Sequence, residues 1–397
     1  MKFIRLITLM LCISFLLLSL TGCNDTDTDN GAEEDIGTSD EAMPEDEVNL
    51  HIHGPDCGHA LQMDFDAAIE TFAPDTVMIR SNDLEITWAE LYIFIFSSVT
   101  NILQAYGMEI NWDDAAPDGS SVADLFLEHA TEEAILFLTY KYGMEDLGFS
   151  LSDDELKEFN DTLDEIIAME GGKEVLEESL RGHGGFYNFE VFESLFKLEY
   201  SIGFLVEQLY GEDFSDFPDE RIEEYAEEEG YMMALHILRL KAEDEDDETP
   251  LEEIEEILTQ LKARVGSADF AEYFKELMEE HSEDHGGLIS FPDGYLFQHG
   301  DMVEPFSNAA AELEEGALSD VVETVFGYHI IYKLSLDFDA VPIAFANDPI
   351  PRTLRQLAAL DDFEDIRQQW RDALNIEFTP EYNSIDLAVI FHASYAE

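Results

Sequence analysis

Between Tyr231 and Leu334 the hydrophobic period switches from strand-like to helical and back, and this switching limits the folds open to the chain. Tyr231 to Leu240 is a β-like run, followed by an acidic loop. Thr249-Pro250-Leu251-Glu252 then supplies an N-cap, a proline at the first helical position and a capping glutamate. Leu251, Ile254, Ile257, Leu258 and Leu261 recur at helical spacing and form the buried face of that helix. Ser267 can cap a second helix carrying Phe270, Phe274 and Leu277, after which Gly286-Gly287 and Pro292-Asp293-Gly294 break the chain. Val321 to Val325 and Tyr328 to Leu334 read as two more strands joined at Phe326-Gly327. The order strand, helices, strand, helix, hairpin is that of an α+β module of about 105 residues, a normal domain size.

The sequence on either side has a different texture. Val77 to Arg80 reads as a short strand, Ser81-Asn82-Asp83 as a turn, and Thr87-Trp88-Ala89-Glu90 as a capping box that opens an apolar helix. Leu125, Ala130, Ile135 and Leu138 fall in one dense apolar helix, and Ser152-Asp153-Asp154-Glu155 is a second capping box. Phe189, Phe192, Phe196 and Tyr200, three or four residues apart, form a stripe read as core. Beyond Pro342, Pro349 and Pro351, Leu354 to Leu374 is one more amphipathic helix. A lone helix cannot form a domain, so it is expected to pack on the helical N-terminal part, making the α+β module an insertion. The expected divisions are 1–22, 23–74, 75–228, 229–336 and 337–397.

The first two divisions concern export. Lys2 and Arg5 precede the apolar run Leu6 to Leu20, which as a helix would be about 22 Å long, short of a bilayer core of about 30 Å. It reads as a signal peptide, and Leu20-Thr21-Gly22-Cys23 looks like a bacterial lipoprotein box with Cys23 as the lipidated residue. With Cys12 removed and Cys23 acylated, Cys57 stands alone and no intramolecular disulfide is available. Asn24 to Asn49 holds 11 acidic residues with no Lys or Arg and reads as a disordered tether. His51, His53, Cys57 and His59 follow, candidate soft-metal ligands in a short linker tract. The chain as a whole carries 91 acidic against 19 basic residues, a net charge of −72, which disfavours nucleic acid as a partner. This acidity is read as a solvated surface suited to salty or alkaline surroundings.

Three segments of the module resemble a family when taken in order. They are His236-Ile237-Leu238, Gly300-Asp301-Met302-Val303 with Phe306, and Thr324-Val325-Phe326-Gly327-Tyr328-His329-Ile330-Ile331. Together with Ala309-Ala310 and Gly316-Ala317-Leu318-Ser319 they look like the parvulin peptidyl-prolyl isomerases, and with the lipobox and helical flanks the chain is similar to lipoprotein foldases of the PrsA/SurA type. The resemblance implies an antiparallel sheet with surrounding helices, inserted in a mainly helical chaperone domain built from the N- and C-terminal segments. It also implies that His236 and His329 are paired imidazoles on neighbouring central strands, with Thr324 in their hydrogen-bond network and Asp284 at the position where parvulins place a cysteine or aspartate. Met302 and Phe306, four apart on a helix start, would line a proline cup, with Phe297 as another wall and Phe326 as a further substrate contact. One departure stands out: the family usually has a longer loop here and often a Gly-Gly-Asp-Leu-Gly segment, where this chain has Gly286-Gly287-Leu288-Ile289-Ser290, and the shortened loop lacks the basic cluster that a phosphorylated substrate would need.

The implied activity is cis/trans isomerisation of X-Pro bonds, whose barrier of about 18–20 kcal/mol is set by amide resonance. It calls for an apolar cup and a poorly solvated site, with no nucleophile and no cofactor. The expected partners are unfolded or partly folded secreted chains, with the membrane engaged through the N-terminal lipid on the extracytoplasmic face and a homodimer left open. The alternative is a holdase whose parvulin module is weak or inactive.

Overall fold

The computed structural model describes residues 65–106, 112–117, 119–242 and 248–391. Cys23, His51, His53, Cys57 and His59 lie outside the described residues, as do the export segment and residues 23–64; residues 65–74, expected to belong to the disordered tether, instead open with a helix whose Ala68 and Ile69 are buried. The described residues divide into two compact units, one within Val206–Ile366 and the other drawn from 65–205 and 367–391. None of the described helices is long and apolar enough to cross a membrane.

The second unit is mainly helical. It opens with a short helix, α1 (Phe65–Ile69), ahead of the first strand expected from the sequence. β1 (Val77–Ser81) and β2 (Leu84–Thr87) form an antiparallel hairpin, turning at Asn82 with φ 53°. The capping box at Thr87 is present: Thr87 N–H donates to Glu90 Oε2 at 2.9 Å and Glu90 N–H to Thr87 Oγ1 at 3.4 Å, where α2 (Trp88–Tyr106) begins. α3 (Val122–Asp146) and α4 (Asp153–Met169) start at reciprocal boxes on Ser121 and Ser152. α5 (Lys173–Gly184) and α6 (Phe189–Tyr210) follow, the latter running past the unit boundary at Leu205. The aromatic stripe of α6 is core, with Phe192 and Phe196 stacked at 5.6 Å over Phe159.

The unit of Val206–Ile366 builds the site. After α7 (Asp219–Glu229) come β3 (Met232–Leu240), α8 (Thr249–Lys262), α9 (Phe270–His281), α10 (His285–Ser290), β4 (Tyr295–Phe297), α11 (Glu304–Glu312), β5 (Val322–Glu323) and β6 (Gly327–Leu334). The four strands form one antiparallel sheet in the order β4-β3-β6-β5. One face, through Leu235, Ile237 and Ile330, packs on Ile254 and Leu261 of α8 and Phe274 of α9. The opposite face, through Met232, Ala234 and Ile331, packs on Phe297, Phe306 and Ala310. Strand alternation therefore sorts the apolar residues between two helical layers. The last long helix, α12 (Leu354–Ala373), crosses the unit boundary at Ile366. In the other unit, β7 (Glu377–Phe378) then adds to β1, α13 (Leu387–Ile390) follows, and Leu374, Leu387 and Phe391 join the core around Trp88 and Tyr92.

Four local expectations change. Thr249 is the first residue of α8 rather than its cap, with Pro250 second, and Glu248 at the cap position makes no side-chain cap. Ser267 does not cap α9, which begins after Asp269 without a side-chain cap. Gly286-Gly287 does not break the chain but lies inside α10, because the Asp284 carboxylate accepts the Gly287 N–H and nucleates that turn. Met302 precedes α11, whose proline sits in the first turn behind Val303, so Met302 and Phe306 do not share a helix face.

Candidate active site

β3 and β6 pair so that His236 faces Ile331 and His329 faces Leu238. In an antiparallel ladder opposite residues share a face, so the two histidines emerge on one side of the sheet as diagonal neighbours. Their rings lie 5.4 Å apart with planes 19° from parallel, and Nδ1 meets Nδ1 at 3.2 Å. Both are buried, His236 at 7% and His329 at 4% exposure. Phe306 stands edge-on to both, at 5.3 and 5.5 Å, and is itself backed by Phe297 at 5.7 Å.

The pair is one stretch of a longer hydrogen-bonded chain. His236 Nε2 is 2.9 Å from Asp284 Oδ2, and His329 Nε2 is 2.9 Å from Thr324 Oγ1. The Asp284 carboxyl is held well below the usual carboxylate range, first by the hydrogen bond from His236 and then by those from Tyr295 and the Gly287 N–H, which together outweigh burial. An ionised carboxylate only accepts, so His236 donates to it from Nε2–H, and with both imidazoles assigned as neutral tautomers His236 Nδ1 accepts from His329 Nδ1–H. That leaves His329 Nε2 to accept the Thr324 hydroxyl, whose alternative acceptor, the Gly327 carbonyl, is farther at 3.4 Å. Burial, with His236 adding to it, pushes the His329 imidazole down to about 3, so it stays neutral. The polarity therefore runs one way, from Thr324 through both imidazoles to Asp284.

Backbone geometry fixes both ends. Glu283 N–H donates to the Leu238 carbonyl at 2.9 Å, and Ser282 Oγ accepts the Leu238 N–H at 3.1 Å, which stitches the Asp284 segment to β3 two residues from His236. At the other end the Phe326 N–H donates to Thr324 Oγ1 at 3.1 Å, so the β5–β6 turn holds the hydroxyl that holds His329. Gly327 is confined there: a Cβ would lie 2.1 Å from the Arg239 carbonyl oxygen.

The structure thus brings His236, Asp284, His329, Thr324 and Phe306 together, with Met302 half-buried against the same cluster. Phe297 has no exposed surface, so it backs Phe306 rather than walling a cup. Phe326 points away at 57% exposure, beside Val325 at 79%, and joins the cluster only through its backbone. Sequence reasoning passed over Tyr295, whose hydroxyl donates to Asp284 Oδ2 at 2.6 Å, and Ser282 and Gly287. A tyrosine opening a short strand gives no signal of its own, whereas the Ser-Glu-Asp triplet could have suggested that the serine anchors the acid.

Residues 236–335 match the Rotamase family, described as a PPIC-type PPIASE domain. This stretch is a parvulin domain. It starts at His236 and closes one residue after β6, so the family match and the four-stranded sheet cover nearly the same residues. Beyond the domain, the chain is similar to the foldase protein PrsA of Clostridium botulinum, 31% identical over 175 residues, which is 42% of this chain and 45% of the relative. It is also similar to PrsA of Bacillus subtilis, 34% identical over 130 residues, 32% of this chain and 39% of the relative. A third relative, the chaperone SurA of Nitrosococcus oceani, is 29% identical over 145 residues, 36% of this chain and 32% of the relative. The chain spans less than half the length of each of these curated relatives. The crystal structure of PrsA from Bacillus subtilis aligns over 76% of this chain and 91% of that one, at 22% identity and a TM-score of 0.23.

Proposed function

We propose that this chain is a membrane-anchored extracytoplasmic foldase that catalyses cis/trans isomerisation of X-Pro bonds in secreted proteins and chaperones them. The observation that carries the reading is the buried, one-directional chain from Thr324 through His329 and His236 to Asp284, floored by Phe306. A planar amide is stabilised by a charge-separated resonance form, which water and hydrogen-bond donors favour. A site that excludes water and sets an ionised carboxylate near the substrate carbonyl disfavours that form and lowers the barrier to rotation. Asp284 suits this role because it is ionised, a quarter exposed, and anchored on three sides. Neither histidine is placed to attack or to exchange protons with solvent, since both are buried and each ring nitrogen is engaged.

Met302 offers the half-buried apolar surface for the proline ring, and Val325 and Phe326 offer exposed apolar surface for the flanking residues. Arg239, the cation on β3, is tied to Glu253 and Glu283, which supports unmodified rather than phosphorylated substrates. The names PrsA and SurA support the foldase and chaperone assignment, and the Cys23 lipobox supports the anchor.

The test is a proline-limited refolding assay with the full mature chain and its Met302→Ala variant. Acceleration that falls at least several-fold in the variant is the expected result. No acceleration, with aggregation of the refolding protein still suppressed, would move the assignment to a holdase.

A further inference from the structure

Asp284 Oδ2 receives two hydrogen bonds, one from His236 Nε2 at 2.9 Å and one from the Tyr295 hydroxyl at 2.6 Å, while Oδ1 receives the Gly287 N–H at 3.0 Å. The carboxylate is thus held by three donors from three elements: β3, β4 and the first turn of α10. Of the three, the phenol makes the shortest contact. There is no room for a side chain at Gly287, where a Cβ would fall 2.0 Å from Tyr295 Oη and 2.3 Å from Asp284 Oδ2. The Tyr295 ring packs on Phe291 at 4.9 Å and on His236 at 5.4 Å, so its hydroxyl is aimed by two aromatic neighbours.

We propose that Tyr295 is a positioning residue of the isomerase site, which fixes the rotamer of the Asp284 carboxylate and through it the tautomers of His236 and His329. A carboxylate on a short loop can rotate about its Cβ–Cγ bond and swing both oxygens out of line with the imidazole. With the phenol and the Gly287 amide on opposite oxygens, only one rotation satisfies both, and that rotation aims Oδ2 at His236 Nε2. The tautomer of His236 follows from that bond, and the tautomer of His329 follows from His236. Tyr295 does this without touching substrate, because its hydroxyl is spent on the acid. It also compensates locally for the shortened loop after Asp284, where Gly286-Gly287 supplies a single backbone donor and no further side chain.

This inference rests on the isomerase reading only for its activity arm. The experiment uses the full mature chain and Tyr295→Phe, which keeps the ring and removes one oxygen. Ring nitrogen NMR at neutral pH should show single tautomers in the unmodified chain, Nε2–H on His236 and Nδ1–H on His329. In Tyr295→Phe these signals should move toward tautomer-averaged values, and kcat of X-Pro isomerisation should fall about tenfold with KM unchanged, the scale of one charge-assisted hydrogen bond. Should Tyr295→Phe fold poorly, 3-fluorotyrosine at 295 keeps the hydroxyl and makes it a stronger donor, and it should shift the His236 Nε2 signal in the opposite sense. Imidazole spectra unchanged by both substitutions would overturn the proposal. If the unmodified chain has no isomerase activity while its imidazole spectra respond as described, the isomerase reading fails and the positioning role stands.

Discussion

The buried His329 sets a measurable acid sensitivity for the parvulin domain. Its imidazole is pushed from 6.5 down to about 3 by burial and by His236, against a partial opposing effect from Asp284. Between those two values the unfolded chain binds a proton that the folded domain refuses. The contribution is therefore fully present above about pH 6.5 and is lost as the pH falls toward 3. At ~1.36 kcal/mol per unit the whole effect is about 5 kcal/mol, of which about 2 kcal/mol is gone by pH 5. Acidification also neutralises carboxylates on a chain of net charge −72 and relieves self-repulsion, an opposite effect that must be subtracted. The comparison is His329→Gln, which keeps a polar side chain between Thr324 and His236 but has no proton to gain. Native-state hydrogen exchange at Ile237 and Ile330, facing residues at the centre of β3 and β6, reads the opening free energy in the full chain. Moving from pH 7 to pH 5 should cost the unmodified protein about 2 kcal/mol more than the variant. An identical pH response in the two proteins would refute the claim that His329 is held neutral by its burial.

Further outcomes follow from the packing. Gly287→Ala should displace the Tyr295 hydroxyl or Asp284, at a cost of about 1–3 kcal/mol and a loss of isomerase activity larger than that of Tyr295→Phe; thermal unfolding and the refolding assay check both parts. Gly143→Ala places a methyl 2.3 Å from the Trp370 ring within the helical unit, so it should lower stability there by about 1–3 kcal/mol while isomerase activity per folded molecule is retained. Raising salt from about 50 to about 500 mM should raise the melting temperature, since 91 acidic residues against 19 basic ones repel more strongly than surface pairs attract. A flat or falling melting temperature would show that the acidic surface is not under self-repulsion.

Those elements whose signals are local were legible in the sequence. The capping boxes at Thr87 and Ser152, the helical stripe of α8, and the hairpin around Phe326-Gly327 each depend on residues within a few positions of one another, and each formed where the pattern placed it. Short elements were not: α1 and β7 span five and two residues, and β7 is a strand only because β1, far back along the chain, lies beside it; the four residues of β2, paired locally with β1, are too few for a pattern to show. The same division holds at the site. The motif around His329 carries Thr324 with it, five residues away and across one turn. Tyr295 meets Asp284 only after α10 has turned the chain, and Gly287, three residues from the acid, was hidden because glycine pairs read from sequence alone suggest a break rather than a close fit.

The pairing of β3 with β6 brings together residues 93 positions apart, and this has a consequence for how the module comes into being. Closing so long a loop costs chain entropy before any ladder bond is gained, so the central strands are expected to join late and cooperatively. The contact between the two histidines depends on that one registration, whereas Asp284 is held on the β3 side and Thr324 on the β6 side. A module in which β3 and β6 have not yet paired therefore holds two separate half-sites, and the continuous run from Thr324 to Asp284 exists only when the topology is complete.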